Sequence, residues 1–233
     1  MKLNFLSKLA LGIGALLSFA SCDLDDDVNN NYTPLVPDTA YGVIANASPN
    51  SGDLYFYADA NLINNSALNF GSANGYYNFY TGDRVLTVKN DAGTTLATSN
   101  ITLTAGQYFS AFAVNTFEDI ELVTYQDSLE YPAANHAYVR FINLSPDSEG
   151  VTVTTTSQNF ATGLEFKAAT DFIDVTSGSH AFTFTDTATV ETLFTTATYD
   201  LYPGSIYTIY TKGFVTPPTG SNDTFSTELL RNY

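Results

Sequence analysis

The stretch Tyr41-Gly42-Val43-Ile44-Ala45-Asn46-Ala47-Ser48-Pro49-Asn50 returns later in the chain as Tyr138-Val139-Arg140-Phe141-Ile142-Asn143-Leu144-Ser145-Pro146-Asp147. Tyr, Asn, Ser and Pro coincide at an offset of 97 residues. Self-similarity at a fixed distance marks a duplicated structural unit, and more matches follow in the same order. Leu68-Asn69-Phe70 corresponds to Leu164-Glu165-Phe166, Gly82 to Gly178, and Leu86-Thr87-Val88 to Phe182-Thr183-Phe184, all at an offset of 96. Leu103 and Gly106 match Leu201 and Gly204 at an offset of 98. Drifts this small place the changes in loops and leave the frame of each copy intact.

Within each copy the apolar pattern has a period of two, which is that of a half-buried strand. In the first copy strands are expected near 41–46, 53–58, 67–70, 76–80, 84–89, 95–103, 107–114 and 120–125. In the second they are expected near 138–143, 150–156, 163–166, 171–175, 180–185, 191–201, 205–212 and 225–230. Breakers such as Thr81-Gly82-Asp83, Asp91-Ala92-Gly93 and Ala105-Gly106 separate them. An insertion, Thr216 to Asp223, lengthens the last loop of the second copy. This pattern predicts an all-β protein of two tandem immunoglobulin-like β-sandwiches. The expected boundaries are a leader over 1–21, a tether over 22–39, and sandwiches over 40–130 and 131–233. Leu86 and Val88 point into the core, and Arg84, which shares their parity, is expected at the strand's end near solvent.

The opening motif Val139-Arg140-Phe141-Ile142-Asn143-Leu144-Ser145-Pro146-Asp147, with Leu68, Phe70, Gly71, Tyr77, Gly82 and Leu86-Thr87-Val88 further on, resembles the bacterial domain of unknown function 4397 family, in two tandem copies. The first copy has Val43 and Ile44 where the second has Arg140 and Phe141, and is the more diverged. The resemblance implies a secreted or envelope protein and brings no catalytic residues with it. The Asn-x-Ser-Pro element reads as a strand end entering a turn. Its Asn or Ser side chain bonds nearby backbone, and Pro halts ladder pairing.

The amino terminus has a basic start (Lys2, Lys8), an apolar run from Leu9 to Ala20, and the small residues Ala20 and Ser21 before Cys22. This is the layout of a secretory signal peptide, with a run too short to span a bilayer. Cys22, the only cysteine, follows the cleavage point and resembles the lipobox of bacterial lipoproteins, although Phe19 stands where Leu is usual. The resemblance implies lipidation of Cys22 and a stable membrane anchor. Asp23, Asp25, Asp26 and Asp27 resemble the acidic signal that sends Bacteroidota-type lipoproteins to the outer face of the outer membrane. The expected address is therefore the outer membrane, facing the cell exterior, on a flexible stalk.

The net charge is −16, and removal of residues 1–21 leaves 6 basic and 24 acidic groups, or −18. Such a chain repels a phosphate backbone, so nucleic acid is not an expected partner. A zinc site needs three or four ligands, and the two His, His136 and His180, have no Cys to help them, since the one Cys is Cys22. No nucleophile elbow, phosphate loop or dinucleotide fingerprint is present. Neither catalysis nor a cofactor or metal is expected.

The aromatic residues are 17 Phe and 16 Tyr with no Trp. Tyr55 and Tyr57, and Tyr76, Tyr77 and Tyr80, lie in strands whose two faces both carry aromatics, and they are the candidates for stacking on a ligand. Three triplets resemble the Asp-Ser/Thr-aliphatic acceptor of O-glycosylation in Bacteroidota-type envelopes, with Thr39, Ser128 and Thr187 as acceptors. The expected function is a non-catalytic, adhesion-type module that binds a glycan or an envelope protein. A structural or assembly role in the envelope, with no soluble ligand, is the alternative.

Overall fold

The computed structural model describes residues 38–232, so the leader, Cys22 and the acidic run Asp23 to Asp27 lie outside the described residues. The first copy runs β1 (Thr39–Asn46), β2 (Leu54–Ala58), β3 (Asn61–Leu62), β4 (Ala73–Tyr80), β5 (Gly82–Asn90), β6 (Thr95–Leu103), β7 (Tyr108–Val114) and β8 (Glu121–Asp127). A single 3-10 turn, Phe117–Asp119, joins the last two strands. The second copy runs β9 (His136–Asn143), β10 (Val151–Thr154), β11 (Asn159–Leu164), β12 (Ile173–Thr176), β13 (Gly178–His180), β14 (Thr183–Asp186), β15 (Thr192–Thr195), β16 (Tyr199–Leu201), β17 (Ile206–Lys212) and β18 (Ser226–Arg231).

Each copy is a two-sheet sandwich. In the first, the sheet β4-β1-β7-β8 packs on β3-β2-β5-β6. In the second, β12-β9-β17-β18 packs on β11-β10-β14-β15, and β13 pairs with β16. All pairings are antiparallel except β1 with β7 and β9 with β17, which are parallel. Alternation along the strands supplies the cores. Ile44, Phe56, Leu86, Val88 and Phe109 fill the first, and Val139, Phe141, Val153, Phe184 and Ile209 the second.

Four strands escape the alternation. β1, β7, β9 and β17 are buried along most of their length on both faces. The reason is a third apolar cluster, built from Ala45, Ala47, Phe112 and Val114 of the first copy and Ile142, Leu144 and Tyr210 of the second. The outer faces of the two β1-type sheets pack on each other, so the described residues are four sheets deep and belong to one compact unit. Sheets covered on both faces lose the alternation of buried and exposed residues, as in Ile206 to Lys212, where every position is buried.

The strand expected at 67–70 is not formed. Leu68 makes one isolated bridge to Leu54, and the segment serves a side-chain hub described below. β4 begins at Ala73, ahead of the start expected near residue 76. Its pairing with β1 skips register between Gly42 and Ile44, an irregularity that an edge strand tolerates. The run expected at 191–201 is two strands, β15 and β16, which join different sheets. Arg84 sits near the start of β5, half-buried, with its guanidinium 3.3 Å from Asp59.

The Asn-x-Ser-Pro element is a buried hub, and both copies build it alike. Asn46 Nδ2 donates to Leu68 O at 3.0 Å and to Ser51 Oγ at 2.9 Å. Asn143 Nδ2 donates to Leu164 O and Ser148 Oγ at 2.8 and 2.7 Å. The side-chain oxygen of each Asn accepts the N–H of Ser48 or Ser145. Each of these Ser hydroxyls donates at 2.7 Å to the carbonyl of Asn115 or Gly213. Those two residues share a left-handed backbone, φ 69° and 78°. At Gly213 a Cβ would stand 2.2 Å from Thr224 O, so only glycine fits there.

Gly42 shows how the copies diverged without losing volume. A Cβ at Gly42 would lie 2.5 Å from Phe109 and 2.6 Å from Phe79, whose rings meet edge to face. The corresponding residues in the second copy are Val139, Tyr207 and Val175, so a larger strand residue there faces a smaller neighbour.

Candidate functional site

The seam between the copies carries the polar chemistry of the interior. The carboxylate of Asp127, at the end of β8, pairs with the guanidinium of Arg140 on β9 at 2.7 Å, and both side chains are shut off from solvent. Arg140 also donates to Gln126 O at 3.0 Å and to Thr208 Oγ1 at 2.9 Å. Asp127 accepts from Ser110 Oγ at 2.8 Å and from Tyr76 OH at 2.6 Å. Asn232 completes the network by donating to Tyr76 OH at 2.9 Å and accepting from Thr208 Oγ1 at 2.8 Å. The guanidinium stacks over the ring of Phe172, 4.6 Å from its centre.

The members of this network come in equivalent pairs. Tyr41 pairs with Tyr108 and Val43 with Ser110 in one copy, and Tyr138 with Ile206 and Arg140 with Thr208 in the other. Asp127 lies opposite Tyr108 on β8, and the Asn232 N–H donates to Ile206 O. Ser110 thus corresponds to Thr208, Asp127 to Asn232, and Tyr76 to Phe172. Phe112 and its counterpart Tyr210 meet ring to ring at 5.0 Å. Tyr125 donates to Lys167 O of the second copy, and Tyr210 to Gly71 O of the first. Contacts that return on themselves in this way are those of an isologous, two-fold interface. Arg140 brings the one buried guanidinium among the described seam residues, and Val43 stands at its equivalent. The second copy's insertion also crosses the seam: Ser221 donates to Asn50 Oδ1 at 2.8 Å, and the Asn50 N–H donates to Asp223 at 2.7 Å.

Burial raises the hydroxyl pKa of Tyr76, Tyr125 and Tyr210 above the ordinary tyrosine range, and the Asp127 charge adds to the effect on Tyr76. The unfolded chain ionises these groups near their usual value of about 10. The stability they confer is therefore intact below about pH 10 and lost as the pH rises above it. Denaturation midpoints should fall between about pH 9.5 and pH 11. Tyrosinate absorbance of the folded protein should report fewer ionising groups than the 16 tyrosines of the unfolded chain.

Beside the network the seam opens into a cleft of about 660 Å³. Gln126, Ser128 and Glu130 line it from the first copy, and Tyr138, Asp171 and Phe172 from the second, with the Arg140–Asp127 pair beneath. Among the described residues, the side chains of Gln126, Ser128, Glu130 and Asp171 are engaged in no hydrogen bond or ion pair. The volume is that of a small-molecule site, about 300–1,000 Å³, and junctions between domains are a common place for one.

The five tyrosines singled out in the sequence do not share a surface. Tyr55 and Tyr57 alternate with the core residues of β2, and Tyr57 lies under the Lys89 ammonium at 4.5 Å. Tyr77 and the exposed Tyr80 border a hollow of about 190 Å³ with Leu62 and Arg84. Tyr76 is part of the seam. Of the glycosylation candidates, Ser128 and Thr187 are exposed and Thr39 is half-buried at the start of β1. The aspartates preceding two of them have structural tasks: Asp127 in the seam, and Asp186 in a turn closed by the Thr189 N–H at 2.6 Å. That bond, with a second from the Thr189 hydroxyl, lowers the pKa of Asp186. His136 contacts Asp174 at 3.0 Å, and His180 contacts Thr176 O at 2.8 Å. Among the described residues no cluster of three His, Cys, Asp or Glu is placed to hold a metal. The cleft residues Gln126, Asp171 and Phe172 carry no motif. Tyr138 opens the duplicated stretch, where it matches Tyr41 and gives no sign of a cleft.

A family model described as "Domain of unknown function (DUF4397)" matches residues 40–154 and again 137–228. No curated protein matches the chain. Among solved structures, an alpha-glucan-binding streptococcal virulence factor aligns at 12% identity, covering 73% of this chain and 92% of its own, with a TM-score of 0.25. The fimbrial anchor protein Mfa2 from Porphyromonas gingivalis aligns at 12% identity over 83% and 97%, with a TM-score of 0.22. A family CBM26 module from Eubacterium rectale in complex with maltoheptaose aligns at 11% over 81% and 96%, with a TM-score of 0.25. At these scores the likeness does not extend to a shared binding mode. The two family matches span nearly all of the chain beyond its first 39 residues, and the chain belongs to the DUF4397 family, in two tandem copies.

Proposed function

We propose that this protein is a non-catalytic binding module of a bacterial cell envelope, held by lipid on Cys22 and exposed to the cell exterior. The seam cleft serves as its ligand site. The observation that carries the reading is the polar lining of that cleft. Gln126, Ser128, Glu130 and Asp171 come from both copies, converge on one opening, and are used by nothing else among the described residues. All four side chains are exposed, so a ligand seated in the cleft can reach them. The exposed apolar residues Leu62, Val85 and Tyr80 at the far side of the first copy favour an assembly role as the second reading, since exposed apolar patches mark protein contacts.

The test is made on intact cells. Protease shaving should remove the folded domains from wild type and spare them when Asp25, Asp26 and Asp27 are all replaced by Ala. Cells carrying wild-type protein should capture a fluorescent glycan or envelope extract that cells with Gln126→Ala and Asp171→Ala do not. Protection of the wild type would remove the exterior address. Equal capture by both strains would remove the cleft as the site.

A further inference from the structure

The geometry points to a neutral saccharide as the ligand of the seam cleft, an assignment that rests on the binding-module reading above. Equivalent places in the two copies differ at this corner of the seam. In the first, Tyr41 stacks on Tyr108 with ring centres 4.8 Å apart, and Tyr76 meets Tyr108 edge-on at 5.3 Å. The three rings fill their corner of the seam themselves. In the second copy the equivalents are Tyr138, Ile206 and Phe172. Ile206 is buried and supplies no ring, so among the described residues Tyr138 has no aromatic partner. Tyr138 borders the cleft together with Phe172. One copy has closed a corner with its own aromatics, and the other leaves an unpaired tyrosine ring at an opening.

The polar groups around that ring select the class of ligand. Gln126 offers an amide that donates and accepts, Ser128 a hydroxyl that does both, and Glu130 and Asp171 carboxylates that accept. This set matches hydroxyl groups on the edge of a sugar ring whose C–H face lies on an aromatic side chain. Charge excludes the acidic saccharides. Among the described residues, Arg140 is the one cation bordering the cleft, and its guanidinium is already bound to Asp127, Gln126 O and Thr208. Glu130 and Asp171 therefore face an anionic ligand with no free countercharge.

Isothermal titration of the full folded protein with maltoheptaose, cellohexaose, laminarihexaose, xylohexaose and chitopentaose, and with a heparin octasaccharide and spermidine, tests the assignment. A neutral probe should bind wild type. Tyr138→Ala should weaken it by at least about tenfold, Tyr138→Phe should bind within about threefold of wild type, and Tyr80→Ser should leave affinity unchanged. Tyr138→Phe keeps the ring and the packing, so a misfolded alanine variant does not void the experiment. No binding of any neutral probe at millimolar concentration overturns the assignment. Binding that Tyr138→Ala and Gln126→Ala both leave intact overturns it as well. If spermidine or the heparin fragment binds instead and Tyr138→Ala abolishes it, the neutral saccharide is wrong while the cleft remains a binding site. If cells with the cleft variants still capture envelope material, the binding-site reading itself fails.

Discussion

Replacing Arg140 by Met while Asp127 stays in place should lower the stability of the folded chain by about 3–5 kcal/mol. For a body of this size that is a fall in Tm on the order of 10 °C. The cost arises from what remains. Asp127 is left charged and shut off from solvent, with Ser110 and Tyr76 as its remaining close donors. The Gln126 carbonyl and the Thr208 hydroxyl lose their guanidinium donor. The double variant Asp127→Leu with Arg140→Met removes both charges and should recover a large part of the loss, because an apolar pair often substitutes for a buried ion pair at little cost. Urea denaturation of the wild type, both single variants and the double variant gives the coupling directly. A single-variant loss under about 1 kcal/mol, the range of an exposed pair, would mean that water reaches the seam in solution.

Asn143→Ala should cost a comparable amount, on the order of 4 kcal/mol, for a different reason. The side chain leaves behind the Ser145 N–H, the Leu164 carbonyl and the Thr211 and Ser148 hydroxyls, each bonded to it in the folded chain. Every such orphan in a buried position costs about 1–3 kcal/mol, reduced where a neighbour or a water takes over. Asn143→Asp should not rescue the loss. It keeps the acceptor, discards both donor bonds and buries a charge. Asn46→Ala should cost a similar amount. Ala113 stands at the position equivalent to Thr211, but Ser51 Oγ, 3.2 Å from Asn46 Oδ1, takes the place of that hydroxyl, and Asn46 Nδ2 also reaches Gly52 O at 3.2 Å. Hydrogen exchange would show this locally, with amides of Ser145 and Leu144 losing protection before the outer sheet does. Equal, small losses at both Asn positions would show that the element is a plain turn and not a hub.

What could be read in the sequence and what could not follows from where each interaction is encoded. Period-two alternation and breakers are local, so the strands of β2, β5, β6 and β7 fell close to their expected places. The duplication was legible because both copies must build the same hub from Asn, Ser and Pro. β3 and the start of β4 were not, because two-residue pairings and register skips depend on a partner strand far away in the chain. The seam was hidden most of all. Its faces look like ordinary buried strand residues, and Tyr76 resembles an exposed stacking residue until Asp127 and Asn232 are brought to its hydroxyl. The single hint was an arginine in one copy where the other has valine, which in one sequence cannot be told from drift.

The parallel pairing of β1 with β7 and β9 with β17 constrains how the molecule is made. A chain emerges amino terminus first, and β1 waits for about a module's length of synthesis before its parallel partner exists, a long loop to close. Once β7 arrives the first sandwich can close, yet its Ala45, Phe112 and Val114 remain an uncovered greasy face. Only β9 and then β17, among the last strands to appear, cover it. For that interval the half-made protein is a sticky monomer displaying a two-fold-compatible surface to its siblings. A pairing of two first copies would leave each Asp127 buried without a guanidinium, because Val43 stands where the second copy has Arg140.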